Sequence, residues 1–204
     1  GRDGQWLHFD GANDYVEVPA HPSFNLQTFT IETWARPDPT KGTGALFMRT
    51  NASGHNEILV WLPSASSIYA YVNHAEYRFS FPGQNFRDET WRHFAVTYDG
   101  ATVRAYVNGL PSTNLYYVST SLAFDNSSIL IGADYDAFNG PPDDFFEGNI
   151  DEMRVWNIAK SEAEIQQLMT ASLTGNEPGL VAYWRFNEGA GQVLNDLTPN
   201  RNHG

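Results

Sequence analysis

A chain of 204 residues suits one large all-β domain or two small ones. With 41% apolar, 14% aromatic and only 18% charged residues, it is globular rather than disordered. Twelve basic against twenty-four acidic residues give a net charge of -12, which argues against nucleic acid and anionic membrane surfaces as partners, and the lack of cysteine excludes a disulfide scaffold and thiolate zinc sites.

The opening GRDGQ reads as a cut through a longer chain, so residues 1–204 are expected to be a single domain excised from a multidomain protein. Short alternating segments follow. In LHFDGANDYVEVP, Leu7 and Phe9 precede a Gly-Ala-Asn-Asp turn, and Tyr15, Val16 and Val18 follow it. FTIETWARP sets Phe29, Ile31, Thr33 and Ala35 against Thr30, Glu32, Trp34 and Arg36. GALFMRT, EILVWL, SIYAYVN and YRFSFPG come next. In SIYAYVN, Ile68, Ala70 and Val72 make the core side, so Tyr69, Tyr71 and Asn73 are expected to face out. WRHFAVTYDG and TVRAYVNGLP are expected to pair as a hairpin at Asp99-Gly100. SILIG, NIDEMRVWN and LVAYWRFN complete about a dozen strands. One helix interrupts them: Ser161 as N-cap and Glu164 three residues on form a capping box, with Ile165, Leu168 and Met169 at helical spacing. The tail, FNEGAGQVLNDLTPNRNHG, reads as a loop leading into a new strand. The fold class expected is an all-β, two-sheet antiparallel β-sandwich with one short helix.

The most informative stretch follows the SILIG strand. Asp134, Asp136, Asp143 and Asp144 crowd one Gly- and Pro-containing loop before the chain re-enters a strand through Phe146-Glu147-Gly148. Four carboxylates so close repel one another unless a cation sits among them. Calcium is the natural candidate, because a hard cation takes several oxygens from a flexible loop. The alternative is a solvated acidic loop. Asp10, Asn13 and Asp14 also cluster, but Asp-Gly-x-Asn-Asp is good turn chemistry in itself. None of the six histidines has the spacing of a zinc motif.

The order FDGANDYVEV, FTIETWARP, WRHFAVTYDG, VRAYVNGLP, GNIDEMRVWNIAKSEAEI and GLVAYWRFNEGAG resembles the laminin-G-like, concanavalin A-like jelly-roll superfamily, and in particular bacterial cousins of the pentraxins. The resemblance spans nearly the whole chain. It implies a jelly roll with a concave face and a calcium site made by two loops. Asn56, in His55-Asn56-Glu57-Ile58-Leu59, matches a ligand of the first loop, where His55 replaces the family's aspartate. Asp134 and Asp136 match the acidic set of the second, with Tyr135 at a position that offers its carbonyl and Asp143 or Asp144 near the distal ligands. It also implies a ligand pocket beside the ion, lined by His55, Trp61, Tyr69, Tyr71, His74, Glu76, Tyr77 and Tyr135. Glu76 there matches an acidic residue that meets a ligand cation. Aromatic faces in such a pocket stack on sugars or cage quaternary ammonium groups. A second, structural calcium could draw on Asp10 and Asp151. Trp34, Trp91, Trp156 and Trp184 fall at framework positions and are expected in the core. The family's cysteine pair is replaced in the neighbourhood of Glu32, Thr33 and Ala95.

Catalysis is not expected. A retaining glycosidase needs two carboxylates about 5 Å apart on one face. Asp151 and Glu152 are adjacent and are expected to point to opposite faces, and no nucleophile elbow or phosphate loop appears. The function expected is a calcium-dependent recognition module of a secreted or cell-surface protein, a monomer taking a glycan or another small polar ligand. The alternatives are an adhesive or structural spacer beside neighbouring domains, its calcium purely structural, and an accessory module of a polysaccharide-active enzyme.

Overall fold

The structure, a computed structural model, describes residues 4–41, 43–51, 56–135 and 141–204. Among these residues the strands are β1 (Leu7–Asp10), β2 (Val16–Val18), β3 (Phe29–Pro37), β4 (Gly44–Thr50), β5 (Asn56–Ser64), β6 (Ser67–Val72), β7 (Ala75–Ser80), β8 (Arg92–Tyr98), β9 (Thr102–Val107), β10 (Leu110–Pro111), β11 (Tyr116–Tyr117), β12 (Ile129–Ile131), β13 (Glu147–Trp156) and β14 (Leu180–Trp184). The helix α1 (Glu162–Leu168) lies between the last two.

An eight-stranded sheet runs β1-β13-β3-β8-β9-β10, with β14 also on β13 and β11 also on β9. A six-stranded sheet runs β2-β12-β4-β5-β6-β7. All pairs are antiparallel, and consecutive strands cross repeatedly between the sheets, which is the jelly-roll sandwich expected. Phe9, Phe24, Phe29, Phe47, Phe79 and Trp184 join the aliphatic side chains between the sheets in one core. Each such side chain contributes about 1.5–3 kcal/mol by burial.

The helix is capped as the sequence predicts. The Ser161 hydroxyl accepts from the Glu164 amide, and the Glu164 carboxylate accepts from the Ser161 amide. Ile165 is its buried residue. Its C-terminal end is fastened to the outer face of the eight-stranded sheet. Trp34 Nε1 donates to Met169 O at 2.8 Å, and the Arg154 guanidinium donates to Leu168 O and Ala171 O at 2.7 and 2.9 Å. These donors satisfy carbonyls that a helix end leaves open. Glu32 lies buried beside them. It accepts from Trp156 Nε1 at 2.9 Å and sits 3.2 Å from His93 Nε2. Its register partner is Ala95.

Three expectations fail. Trp91 is not in the core but half-exposed on the outer face of the eight-stranded sheet, where strand alternation puts it beside Arg36. The tail does not lead away from the sandwich. The Asp196 carboxylate accepts from the amides of Tyr183, Thr198 and Asn202, and Trp184 Nε1 donates to Asn202 O, so residues 194–204 fold back onto β14. Asp151 and Glu152 do not part to opposite faces. Glu152 takes φ 54° at a bulge in β13, and both residues line a cavity of about 140 Å³ bordered by Met169, Thr170 and Ala171, just after α1.

Candidate functional site

Alternation on β5, β6 and β7 sends Ile58, Val60, Ile68, Ala70, Val72 and Phe79 into the core. It turns Leu59, Trp61, Tyr69, Tyr71, Glu76 and Arg78 to the outer face of the six-stranded sheet. Tyr69 and Tyr71 therefore face out, as alternation predicts. Register aligns Leu130, Met48, Leu59, Tyr71 and Glu76 in one row across the sheet, and Trp61, Tyr69 and Arg78 in the next.

A small second apolar cluster forms the floor. Met48, Leu59, Leu130, Ala45 and Ala133 are buried, and Trp61, Tyr71, Tyr135 and Phe145 pack against them. This cluster anchors both legs of the acidic loop. Gly132 lets the chain leave β12 over Phe9: at φ +86°, a Cβ there would meet Phe9 Cε1 at 2.3 Å. The legs are then clamped backbone to backbone, Asp134 N to Asp143 O at 3.0 Å and Asp143 N to Asp134 O at 2.9 Å. Asp144, at φ 41°, accepts from Ala45 N through its carbonyl at 3.0 Å.

The other half of the site comes from β5 and the turn of the β6–β7 hairpin. Val72 pairs with Ala75, so Asn73 and His74 form a two-residue turn, both with positive φ. Their amides donate to Glu57 O and Asn56 O at 2.9 and 3.0 Å, which pulls the turn onto the start of β5. Asn56 Nδ2 reaches Asp134 Oδ2 at 3.4 Å, joining the two loops that the resemblance pairs. Asp134 is 2% exposed and accepts from the Tyr135 amide at 2.6 Å. Among the described residues, Asn56 Oδ1 is buried without a hydrogen-bond partner, as are Glu57 Oε2 and Trp61 Nε1. A buried polar atom left unmet costs about 1–3 kcal/mol. Glu57, which sequence reasoning did not single out, is fully buried. It accepts from Asn51 Nδ2 at 2.8 Å and lies 3.5 Å from His74 Nε2.

Glu76 is already engaged. It accepts from Tyr71 Oη at 2.6 Å and from Arg78 Nε. Burial raises its pKa, but these two bonds hold the carboxyl below its ordinary range. Burial and the Glu76 carboxylate push the Tyr71 hydroxyl well up, with a smaller contribution from Asp134. The Arg78 guanidinium lies 4.9 Å from the Tyr69 ring centroid, and Trp61 meets Tyr69 edge to face at 5.6 Å. Arg78 was missed by sequence reasoning. The two-residue turn at Asn73-His74, once recognised, fixes the register that sets Arg78 opposite Tyr69.

The structure brings together Asn56, Asp134, Tyr135, Asp143 and Asp144 from the metal set, and Trp61, Tyr69, Tyr71, His74 and Glu76 from the pocket set. His55 and Asp136 lie outside the described residues. Among the described residues, no three His, Asp or Glu side chains are grouped closely enough to hold a metal by themselves. Asp10 and Asp151 do not meet. Asp10 pairs with Glu147, four residues from Asp151 on β13, which separates them by about 13 Å. Asp10 serves its turn, its Oδ1 accepting from Ala12 N and Asn13 N at 2.8 and 3.2 Å. Asp151 lies buried on the eight-stranded sheet.

With the sandwich and this face in place, kinship follows. Residues 10–166 match the Laminin_G_3 family of the concanavalin A-like lectin/glucanases superfamily, and the chain belongs to that family. The C-reactive protein of Rattus norvegicus is 24% identical over 158 residues, 76% of this chain and 67% of that protein. A candidate carbohydrate binding protein of Bacteroides ovatus superposes with a TM-score of 0.72 at 22% identity, over 97% of this chain and 58% of its own. This chain thus spans little more than half of that protein. The heptameric SAP-like pentraxin of Limulus polyphemus superposes with a TM-score of 0.62 at 16% identity, over 80% of each chain. Among the described residues, no helix is long and apolar enough to cross a membrane.

Proposed function

We propose that this domain is a calcium-dependent glycan-recognition module that works through the outer face of its six-stranded sheet, within a secreted or cell-surface protein. The observation that carries this is the amide of Asn56. Its Nδ2 points at Asp134, and its Oδ1 is buried with no hydrogen-bond partner among the described residues. An oxygen left so is what a cation between the two loops would use. Asn56 Oδ1, Asp134, Asp143 or Asp144 and the Tyr135 carbonyl offer oxygen donors of the kind calcium takes, and the sequence supplies Asp136 as a further carboxylate. When bound, the ion supplies open coordination positions for vicinal hydroxyls of a sugar.

The chain's own residues do the rest. Trp61, Tyr69 and Tyr71 give an aromatic wall on which the apolar face of a pyranose can stack. Glu76 is neutralised by Tyr71 and Arg78, so the wall favours an uncharged polyol over a quaternary ammonium, in contrast to what the pentraxin resemblance implies for that position. The domain acts as a monomeric binder rather than an enzyme. Glu152, the carboxylate beside Asp151, is committed to Arg154, Tyr183 and Arg185.

A glycan array probed in calcium and again in EDTA tests the proposal. Hits that vanish in EDTA while circular dichroism is unchanged support it. Hits on neutral glycans that persist in EDTA, or an array blank for neutral glycans beside strong calcium binding, reject it, the second in favour of a structural spacer.

A further inference from the structure

The outer face of the eight-stranded sheet, on the far side of the sandwich, carries a second aromatic surface. Register sets His8 against Asn149 and Asn149 against Arg36, and the Ala35–Arg92 pair continues to place Arg36 beside Trp91, the residue just before β8. Trp6, just before β1, leans over the same row. Its ring meets Trp91 at 6.1 Å with an interplanar angle of 66°. The Arg36 guanidinium lies 5.7 Å from the Trp6 ring and 5.6 Å from the Trp91 ring. Trp6 is nevertheless 44% exposed.

We propose that Trp6, Arg36 and Trp91 form a second ligand site, for a carboxylated sugar residue of a glycan. With their ring centres 6.1 Å apart, both indoles pack against the guanidinium from one side, and cation–π packing of that kind leaves N–H groups for a bidentate carboxylate. Arg78, Arg92, Arg154 and Arg185 each pair with a carboxylate. The Arg36 side chain has no ion pair or hydrogen bond among the described residues, in a chain with twice as many acidic as basic side chains. The nearby carboxylates of Asp10 and Asp38 are held by their own turns, through Ala12, Asn13 and Thr40. An exposed indole beside that fork offers a face to the C–H groups of a pyranose ring. His8, whose Nδ1 lies 3.2 Å from Asn149 Oδ1, borders the platform with polar groups for hydroxyls.

The test is carried out in EDTA, so that its outcome is independent of calcium and of the opposite face. The indole Nε1–H resonances of Trp6 and Trp91 and the Arg36 Nε–H are followed by NMR on the full chain. Oligosaccharides containing glucuronate, galacturonate or sialate are titrated, then their methyl esters, then a pentaglutamate peptide. The expected result is a shift of these three resonances with at least one acidic sugar, affinity lower by about tenfold or more for its ester, and a similar loss in Trp6→Ala and Arg36→Gln. Arg36→Lys, which keeps the charge but not the fork, should bind more weakly than wild type. Which sugar binds separates uronate from sialate. No shift with any of the three sugars, equal binding of acid and ester, unchanged binding in both Trp6→Ala and Arg36→Gln, or binding of pentaglutamate alone would overturn the proposal.

Discussion

Replacing Asn56 with alanine separates a cation ligand from a structural amide. With calcium chelated, the side chain contributes little among the described residues: one long hydrogen bond to Asp134, at 3.4 Å, and a buried oxygen without a partner. The first is worth about 1 kcal/mol or less and the second costs about 1–3 kcal/mol, so removing both is neutral to stabilising by about 2 kcal/mol. Asn56→Ala in EDTA should therefore melt no lower than wild type, and at most about 4–8 °C above it for a chain of this size. Calcium at about a hundred times its Kd stabilises the folded state by about 2.7 kcal/mol. That corresponds to a rise of about 5–10 °C in the wild type. The variant has lost a ligand oxygen, and at the same calcium concentration its rise should shrink to less than half. Scanning calorimetry in EDTA and in calcium reads both quantities. A variant that melts far below wild type in EDTA, yet keeps the full calcium rise, would show that Asn56 is a structural amide and that the ion, if any, sits elsewhere.

Three further expectations follow from the same geometry. The Glu76 carboxyl is held below its ordinary range, so its contribution is complete above that range and is lost as pH falls through the lowered value. Tyr71→Phe removes one of the bonds responsible, and its acid unfolding curve should lie closer to that of Glu76→Gln than wild type does; coincident wild-type and Tyr71→Phe curves would show that the bond does not matter. Gly132→Ala forces a Cβ to 2.3 Å from Phe9 at positive φ, and should cost about 3 kcal/mol or more in urea unfolding while weakening calcium binding. Glu32→Gln breaks a fully buried cluster with His93, Arg154 and Trp156, and a loss of about 3–5 kcal/mol is expected in denaturant unfolding; a near-neutral result would mean that the amide replaces the carboxylate in every contact.

Strands, the capping box and the outward tyrosines were readable because alternation and local hydrogen bonding repeat over several residues. The pairing of Asn56 with Asp134 was readable only through resemblance, since 78 residues separate them. What stayed hidden depends on single backbone irregularities. Nothing in Asp151-Glu152 announces that Glu152 will take a left-handed conformation and bring both residues to one cavity. Asn73-His74 lacks the glycine that usually marks a two-residue hairpin, so the row joining Tyr69 to Arg78 and Tyr71 to Glu76 could not be drawn. Trp91 sits one residue before Arg92, the first residue of β8, and a tryptophan at a strand end is as compatible with a platform as with a core. The tail reads as a loop leading into a new strand because it is rich in Asn, Asp and Gly, yet its Asn, Asp and Thr side chains are also hydrogen-bonding groups. In the structure those groups supply the hydrogen bonds that fix it to β14.

The measurement that bears most directly on calcium-dependent recognition is a calorimetric titration of calcium into the chelated protein, in wild type and in Asp134→Ala/Asp136→Ala. Saturable binding in the wild type that disappears in the double variant places the ion between the loops beside Asn56. Binding that survives the substitutions intact, or no binding in the wild type, contradicts it and leaves the acidic loop as a solvated turn on a β-sandwich.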